Sequence, residues 1–193
     1  MPNADSPRGL TPVANLYGAP FNAAVRRFAI PASNATAAFV GGVVKPTGTA
    51  TTDGLMTVTS DVAVGEAVLG VIVGFDIVGP STLGTQGAAS TLRYPLVSVH
   101  PDALYEVQED SVGGALAITA VGQTVSMVGL TTGSAITGVS ALMLDSSTAS
   151  AGAGVRGLLI VGLVPVPDNE IGALAKWYVR LNNHFIVNAT LGV

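Results

Sequence analysis

From residue 25 onward, glycine, proline, aspartate and serine divide the chain into short apolar runs that are rich in valine, threonine and isoleucine. Such runs are typical of β-strands, because β-branched side chains fit a pleated sheet while glycine and proline favour turns. No segment shows the spacing of apolar residues that a convincing amphipathic helix requires. The pattern predicts a mostly β protein with strands at residues 25–30, 37–44, 55–59, 67–78, 92–99, 104–109, 125–128, 139–144, 155–164 and 176–182.

Many short strands separated by turns indicate a single β-barrel or a single jelly-roll-like sandwich domain, which we place at residues 25–193. In the last of these strands apolar and polar side chains alternate. Successive side chains of a strand point to opposite faces of its sheet. The alternation therefore predicts that Trp177, Val179 and Leu181 lie on the core face, while the residues between them face water.

Two runs, 67–75 and 158–164, are apolar at nearly every position and do not alternate. Strands of this kind are covered on both faces, either by two layers of the fold or by a neighbouring subunit. The glycines within these runs, Gly70, Gly74 and Gly162, indicate β-bulges or close approach of another backbone segment.

The first 24 residues contain four prolines and two glycines. Each proline lacks a backbone N–H and holds φ at about −65°, so the segment cannot form a regular helix or a central strand. We predict an extended N-terminal arm over residues 1–24, with a disordered terminus as the alternative. A solvated tail has no use for apolar side chains. We therefore assign contacts with a partner protein or with further copies of the chain to the apolar residues of the arm and to the two arginines that follow it: Leu10, Val13, Leu16, Tyr17, Phe21, Arg26 and Arg27.

Charged residues make up 10% of the chain and apolar residues 49%, whereas an ordinary soluble domain carries about 25% charged residues. A chain of this kind either shares part of its surface with a partner or covers it with neutral polar residues.

The net charge is −4 with eight basic residues, so we expect no nucleic-acid partner. Polar residues interrupt the uncharged stretch 111–144 every few positions, so no run of about 18 apolar residues predicts a membrane span.

The sequence contains no convincing catalytic, cofactor or metal site. A G-x-G-x-x-G match at 152–157 lies between a small polar loop and an apolar strand, whereas a dinucleotide site requires a strand and then a helix. The two histidines, His100 and His184, lack metal-ligand spacing, and we interpret them as structural. The three carboxylates within 106–110 do not converge on one point along a strand, so they predict a solvated strand end. The chain has no cysteine.

Short sequence blocks spread over most of the chain resemble those of a known protein family. They are 7–13 (PRGLTPV), 18–22 (GAPFN), 69–75 (LGVIVGF), 105–110 (YEVQED), 144–147 (LDSS), 162–164 (GLV), 167–172 (PDNEIG), 176–177 (KW) and 181–184 (LNNH). In these blocks the chain resembles tailed-phage structural cement proteins, also called capsid decoration proteins. The resemblance is weakest in the stretch 111–144.

The resemblance implies a β-barrel or jelly-roll protein that binds HK97-like phage major capsid proteins on the exterior of the virion, after synthesis in the host cytoplasm. It implies a symmetric oligomer that bridges capsomers, and we expect a homodimer or a homotrimer. It implies no catalytic residue, so we expect no enzyme activity and no cofactor. The alternative is a carbohydrate- or receptor-binding β module of a phage fibre, a tail or an adhesin, which would use exposed aromatic side chains.

Overall fold

The computed structural model describes residues 3–22, 24–151 and 156–188. Within these residues the chain is mostly β, with one four-residue helix, α1 (Phe185–Asn188), and two 3-10 turns. The strands of the described residues are β1 (Thr11–Asn15), β2 (Val25–Arg27), β3 (Val43–Ala50), β4 (Met56–Thr59), β5 (Gly70–Asp76), β6 (Tyr94–Ser98), β7 (Ala103–Gln108), β8 (Thr124–Val128), β9 (Met143–Ser150), β10 (Leu158–Leu163) and β11 (Lys176–Leu181).

The strands form two antiparallel sheets. One has six strands in the order β1-β7-β11-β10-β8-β9, and the other has five in the order β2-β6-β5-β3-β4. Isolated parallel bridges join Ala29 to Thr57 of β4, and Glu109 to Leu144 of β9. The prediction of a mostly β fold is confirmed. The barrel alternative is wrong, because neither sheet closes in the described residues: one single bridge joins β4 to the residues that follow β2, and another joins β9 to the residue that follows β7.

Buried apolar side chains form two clusters, and the larger one lies between the two sheets. The larger cluster combines Val43 and Val71 of the five-stranded sheet with residues of the six-stranded sheet, among them Trp177. The smaller cluster lies on the other face of the five-stranded sheet and contains Val44 and Ile72. Neighbouring residues of β3 and β5 thus enter different clusters, because successive side chains of a strand point in opposite directions.

The two apolar runs without alternation differ in their environment. Run 67–75 contributes to both clusters, so two layers of the chain itself cover its strand, as predicted. In β10, Leu158 and Ile160 lie in the larger cluster, while Leu159 and Val161 on the opposite face are only half-buried. The chain's own core therefore covers a single face of β10 fully.

The predicted strands overlap observed ones, but two are displaced: β3 occupies Val43–Ala50 and not 37–44, and β9 occupies Met143–Ser150 and not 139–144. Strand β1 was not predicted.

The predictions for the faces of β11 and for the three glycines are confirmed. Trp177, Val179 and Leu181 are all buried on the core face of β11. The pairing register shifts next to Gly74 in β5 and next to Gly162 in β10, which places a bulge at each glycine. Gly70 allows a close backbone contact, because a β-carbon there would lie 2.1 Å from the Ser98 carbonyl oxygen.

The predicted arm, which we call the N-terminal segment, contributes the edge strand β1, and β2 begins directly after it. β1 pairs with β7 and β2 pairs with β6, so each lies at the outside of its sheet, where proline is tolerated. Leu10 is buried in the larger cluster. The Asn3 side-chain amide donates to the Glu170 carbonyl oxygen (2.9 Å), and the Gln108 amide donates to that of Ala4 (2.7 Å). The beginning of the predicted arm is therefore held against its own domain.

Candidate interaction surfaces

A tight turn at residues 15–20, which we call the N-terminal turn, carries two exposed apolar side chains. The Asn15 N–H donates to the Ala19 carbonyl oxygen (2.7 Å), and the Leu16 N–H donates to that of Asp102 (2.8 Å). Gly18 has φ +85°, a conformation that glycine adopts without strain. Leu16 is 39% exposed and Tyr17 is 82% exposed. An exposed aromatic side chain on a backbone fixed in this way is typical of a binding hot spot.

The other residues that the sequence assigns to contacts lie elsewhere. Leu10 is buried, and Val13 and Phe21 are half-buried. Leu10 and Phe21 line one cleft of about 240 Å³ between the N-terminal segment and β5. Arg26 is exposed on β2. In the structure, therefore, Leu16 and Tyr17 share the N-terminal turn, and Leu10 and Phe21 share a cleft. The predicted contact residues do not form one surface.

Arg27 occupies a different end of the molecule from the N-terminal turn. Its Nε atom lies 3.0 Å from Asp76 Oδ2, and its guanidinium carbon lies 4.2 Å from the centroid of the Tyr94 ring. A cation over an aromatic ring is attracted to the negative face of that ring. Tyr94 begins β6, whereas Asp102, which anchors the N-terminal turn, follows the end of β6.

Two uncharged loops, residues 77–92 between β5 and β6 and residues 130–138 between β8 and β9, meet in the structure, and we call the region that they form the two-loop face. The loops touch where a β-carbon on Gly138 would lie 2.3 Å from the Thr85 carbonyl oxygen. Large aliphatic side chains project from both loops: Ile77 (60% exposed), Val78 (56%), Leu83 (66%), Leu92 (42%) and Ile136 (89%). Single exposed aliphatic residues are common, but a group of them marks an interaction surface.

Internal hydrogen bonds fix the first loop of this face. The Thr82 hydroxyl accepts from the Val78 N–H (2.9 Å) and donates to the Gly79 carbonyl oxygen (2.7 Å). The buried Arg93 side chain donates from Nη2 to the Gly84 carbonyl oxygen (2.8 Å). A surface that is ordered before binding loses less conformational entropy on binding.

The two-loop face was not predicted from the sequence, although a signal was present. Residues 77–92 contain no charged side chain. The longer stretch 111–144, which includes the second loop, contains none either. The sequence gives no sign that these two stretches meet, because they are separated by about forty residues and belong to connections in different sheets.

Both surfaces are apolar and carry no charge, so they suit contact with another protein better than they suit chemistry. No family model, no curated protein and no solved structure matches the chain. The two surfaces and the fold are therefore the observations from which a function can be inferred.

Glu109 corrects one prediction. It was expected at a solvated strand end, but it is completely buried. Its carboxylate accepts hydrogen bonds of 3.1 Å from Trp177 Nε1, the Leu116 N–H and the Ser111 hydroxyl. Burial raises the pKa of Glu109, and these three hydrogen bonds oppose the rise. The enclosed carboxyl group thus joins Trp177 of β11 to the loop that follows β7.

The two histidines each accept a hydrogen bond from the backbone. His100 Nδ1 accepts from the Asp102 N–H (3.1 Å), and His184 Nδ1 accepts from the Ile186 N–H (3.2 Å). Burial lowers the pKa of His184, because it disfavours the charged form of the ring. These contacts agree with a structural role.

The remaining site predictions concern metal, membrane and nucleotide binding. Among the described residues, no group of three or more His, Cys, Asp or Glu side chains could hold a metal ion. None of the helices in the part of the chain that the structure describes has the length and apolar character needed to cross a membrane. Of the G-x-G-x-x-G match at 152–157, residues 152–155 lie outside the described residues.

Proposed function

We propose that the protein is a structural component of a tailed-phage virion, a decoration protein that binds the outside of the head and bridges capsomers to stabilise the shell. The observation that carries the proposal is a pair of exposed apolar surfaces at opposite ends of β6. The N-terminal turn is anchored at Asp102 beyond one end, and the two-loop face lies beside Tyr94 at the other. A protein that bridges neighbours needs contact surfaces that point to different partners.

The composition supports the same function. A bridge between capsomers adds contact area without chemistry, and a standard contact of about 800 Å² per partner requires no special side chain. Repetition of that contact over a shell holds each copy in place even when one contact opens. A chain with 10% charged residues suits surfaces that are shared with partners.

We propose an HK97-like major capsid protein as the partner and the exterior of the capsid as the location. Tyr17, with Leu16 beside it, is the anchor that the N-terminal turn offers to a capsid subunit. The exposed Arg26 adds a positive charge on the edge strand β2, and a charge of this kind favours orientation more than affinity.

The finer description of the fold belongs to the same proposal. We propose that the two sheets form a jelly-roll-like sandwich, with the N-terminal segment as an extended arm along its edges. Support comes from the larger cluster, in which Val43 and Val71 of one sheet meet Trp177 and Val179 of the other.

The test uses shells assembled from the major capsid protein that is encoded in the same genome. Purified chain is mixed with these shells, and bound chain is measured by sedimentation and located by electron cryomicroscopy. We expect saturable binding and regular density on the outer surface. Shells that sediment without the chain would contradict the proposal. A glycan array probed in parallel tests the alternative, because glycan binding without shell binding would favour a carbohydrate-binding module.

A further inference from the structure

We infer that His184 is an acid-sensitive switch, whose protonation releases the helix α1 from the five-stranded sheet and uncovers the apolar side chains beneath it. The inference concerns the chain alone and goes beyond the proposed decoration function.

The first step is the position of His184, which joins the sheet to α1. His184 is 1% exposed and forms a parallel bridge with Val68, shortly before β5. The next residue, Phe185, begins α1, and its N–H donates to the Val68 carbonyl oxygen (2.8 Å). The Phe185 side chain packs against the smaller cluster. The contacts that hold α1 on the sheet therefore begin at His184.

The second step is a hydrogen bond that only the neutral ring can make. His184 Nδ1 accepts from the Ile186 N–H in α1 (3.2 Å). A neutral imidazole that accepts at Nδ1 carries its proton on Nε2, and a second proton turns Nδ1 into a donor. The charged ring would therefore set its own N–H against that of Ile186. Protonation breaks the contact between His184 and α1.

The third step is the surroundings of the ring, which disfavour a positive charge. Nε2 is buried and makes no hydrogen bond of good geometry within the described part of the chain. Burial, with the charges of Arg180 and His100, lowers the pKa of His184. The Val99 backbone and Asp102 oppose this effect in part.

The carboxylates on the neighbouring elements already have basic partners. Asp102 Oδ1 lies 3.8 Å from Arg180 Nη1. On the segment that contains Val68, Glu66 forms an ion pair of 2.6 Å with Lys45. A proton on His184 therefore adds a positive charge to the interior that these carboxylates do not fully compensate.

The consequence is an apolar surface whose exposure depends on pH. Phe185 lines a cleft of about 540 Å³ together with Pro46 of β3 and Met56 of β4. Release of α1 removes Phe185 from this cleft and from the smaller cluster. The side chains that it covered then become available for contact with another apolar surface.

The sign of the pH effect follows from the two positions of α1. When α1 is released, the His184 ring titrates near its ordinary pKa of 6.5, and when α1 is bound the pKa of the ring is lower. The released state therefore binds the proton more strongly. The equilibrium constant for release should be independent of pH above 6.5 and should rise below it by up to about tenfold for each pH unit.

The test is amide hydrogen exchange of the full-length chain, followed by NMR from neutrality to about pH 5. After correction for the intrinsic effect of pH on exchange, the Phe185 and Ile186 amides give the equilibrium constant for release. We expect this constant to rise below pH 6.5. The Val179 amide in β11 should stay protected, because the release is local.

His184→Asn removes the switch and keeps the contact. The asparagine Oδ1 takes the place of Nδ1 and accepts from the Ile186 N–H without titrating. The release constant of this variant should no longer depend on pH. The matched control is His100→Asn, because His100 Nδ1 also accepts from an N–H two residues later, that of Asp102 (3.1 Å), but its ring is exposed. This control should keep the pH dependence.

Two further variants test the charges and do not alter the histidine. Asp102→Asn removes a charge that favours the protonated ring, so the titration of the His184 ring signal in NMR should move to lower pH. Arg180→Gln removes a charge that opposes protonation, and it should move the same titration to higher pH. Shifts in the same direction for both variants would contradict the inference.

Three other outcomes would overturn it. They are a release constant that does not change between neutrality and about pH 5, an equal loss of protection at Val179, and a pH dependence that persists in His184→Asn. A chain that binds capsid shells without any such release would refute the switch alone and leave the decoration function standing.

Discussion

Glu109 places an ionisable group among core side chains, where Trp177, Leu116 and Ser111 donate to its two oxygens. These hydrogen bonds offset only part of the cost of burying the charge, because burial still raises the pKa of Glu109. The residue therefore links pH to stability. The folded chain holds this proton more tightly than the unfolded chain, whose glutamate titrates near 4.5.

The sign of that linkage gives a prediction for Glu109→Gln. The contribution of Glu109 to the free energy of unfolding is fully present below pH 4.5 and is lost as the pH rises through the folded pKa. The loss amounts to about 1.4 kcal/mol for each unit by which the pKa is raised. Glutamine is neutral and can still accept from Trp177, so the variant should gain stability relative to the unmodified chain as the pH rises. Urea unfolding of both chains from pH 4.5 to neutrality measures this difference.

His184 titrates with the opposite sign, since burial lowers its pKa below 6.5 and the stability it contributes is lost as the pH falls. It is present in both chains of that comparison, so its effect cancels in the difference. Parallel stability curves for the two chains would show that Glu109 does not couple to pH.

At the scale of elements, the N-terminal segment has two different roles within about ten residues. Leu10 is 1% exposed in the larger cluster, and β1 covers the edge of β7. Tyr17, by contrast, projects from the turn that follows β1. Removal of the whole segment would therefore mix a loss of stability with a loss of contact.

Single substitutions separate these roles. Leu10→Ala should lower the free energy of unfolding by about 2–5 kcal/mol, because it leaves a cavity in the core. Tyr17→Ala should change it by less than about 0.5 kcal/mol and should instead lower occupancy on capsid shells. Denaturant unfolding and shell sedimentation of the same two variants measure both effects. Equal stability losses for the two variants would refute this division of the segment.

At the scale of the whole molecule, β3 and β5 couple the two clusters of buried side chains. Val71 points into the larger cluster and Ile72 into the smaller one, so neither cluster can form without these strands in place. A structure in which two cores share central strands unfolds as one cooperative unit.

This coupling predicts the behaviour of Ile72→Ala. The substitution removes packing from the smaller cluster and should cost about 2–5 kcal/mol. Trp177 lies in the larger cluster and is the single tryptophan, so its fluorescence reports that cluster alone. We expect the fluorescence transition to move together with the circular dichroism transition. A fluorescence midpoint that stays unchanged while the other moves would show that the clusters unfold separately.

The local pattern of the sequence was sufficient for the approximate places of most strands, the buried face of β11 and the bulges beside Gly74 and Gly162. These features depend on neighbouring residues and on the period of a strand, which the sequence displays directly. Boundaries were less accurate. β9 continues to Ser150 through polar residues, beyond the predicted end at 144, because its pairing with β8 and not its own hydrophobicity extends it.

Three features were decided only by the tertiary structure. Glu109 is buried because Trp177, which is 68 residues further along the chain, packs against it and donates to its carboxylate. The N-terminal segment divides into an anchored and an exposed part because β7 offers it an edge. The two-loop face exists because residues 77–92 meet residues 130–138. Each depends on contacts between residues far apart in sequence, and no local pattern encodes which distant segments become neighbours.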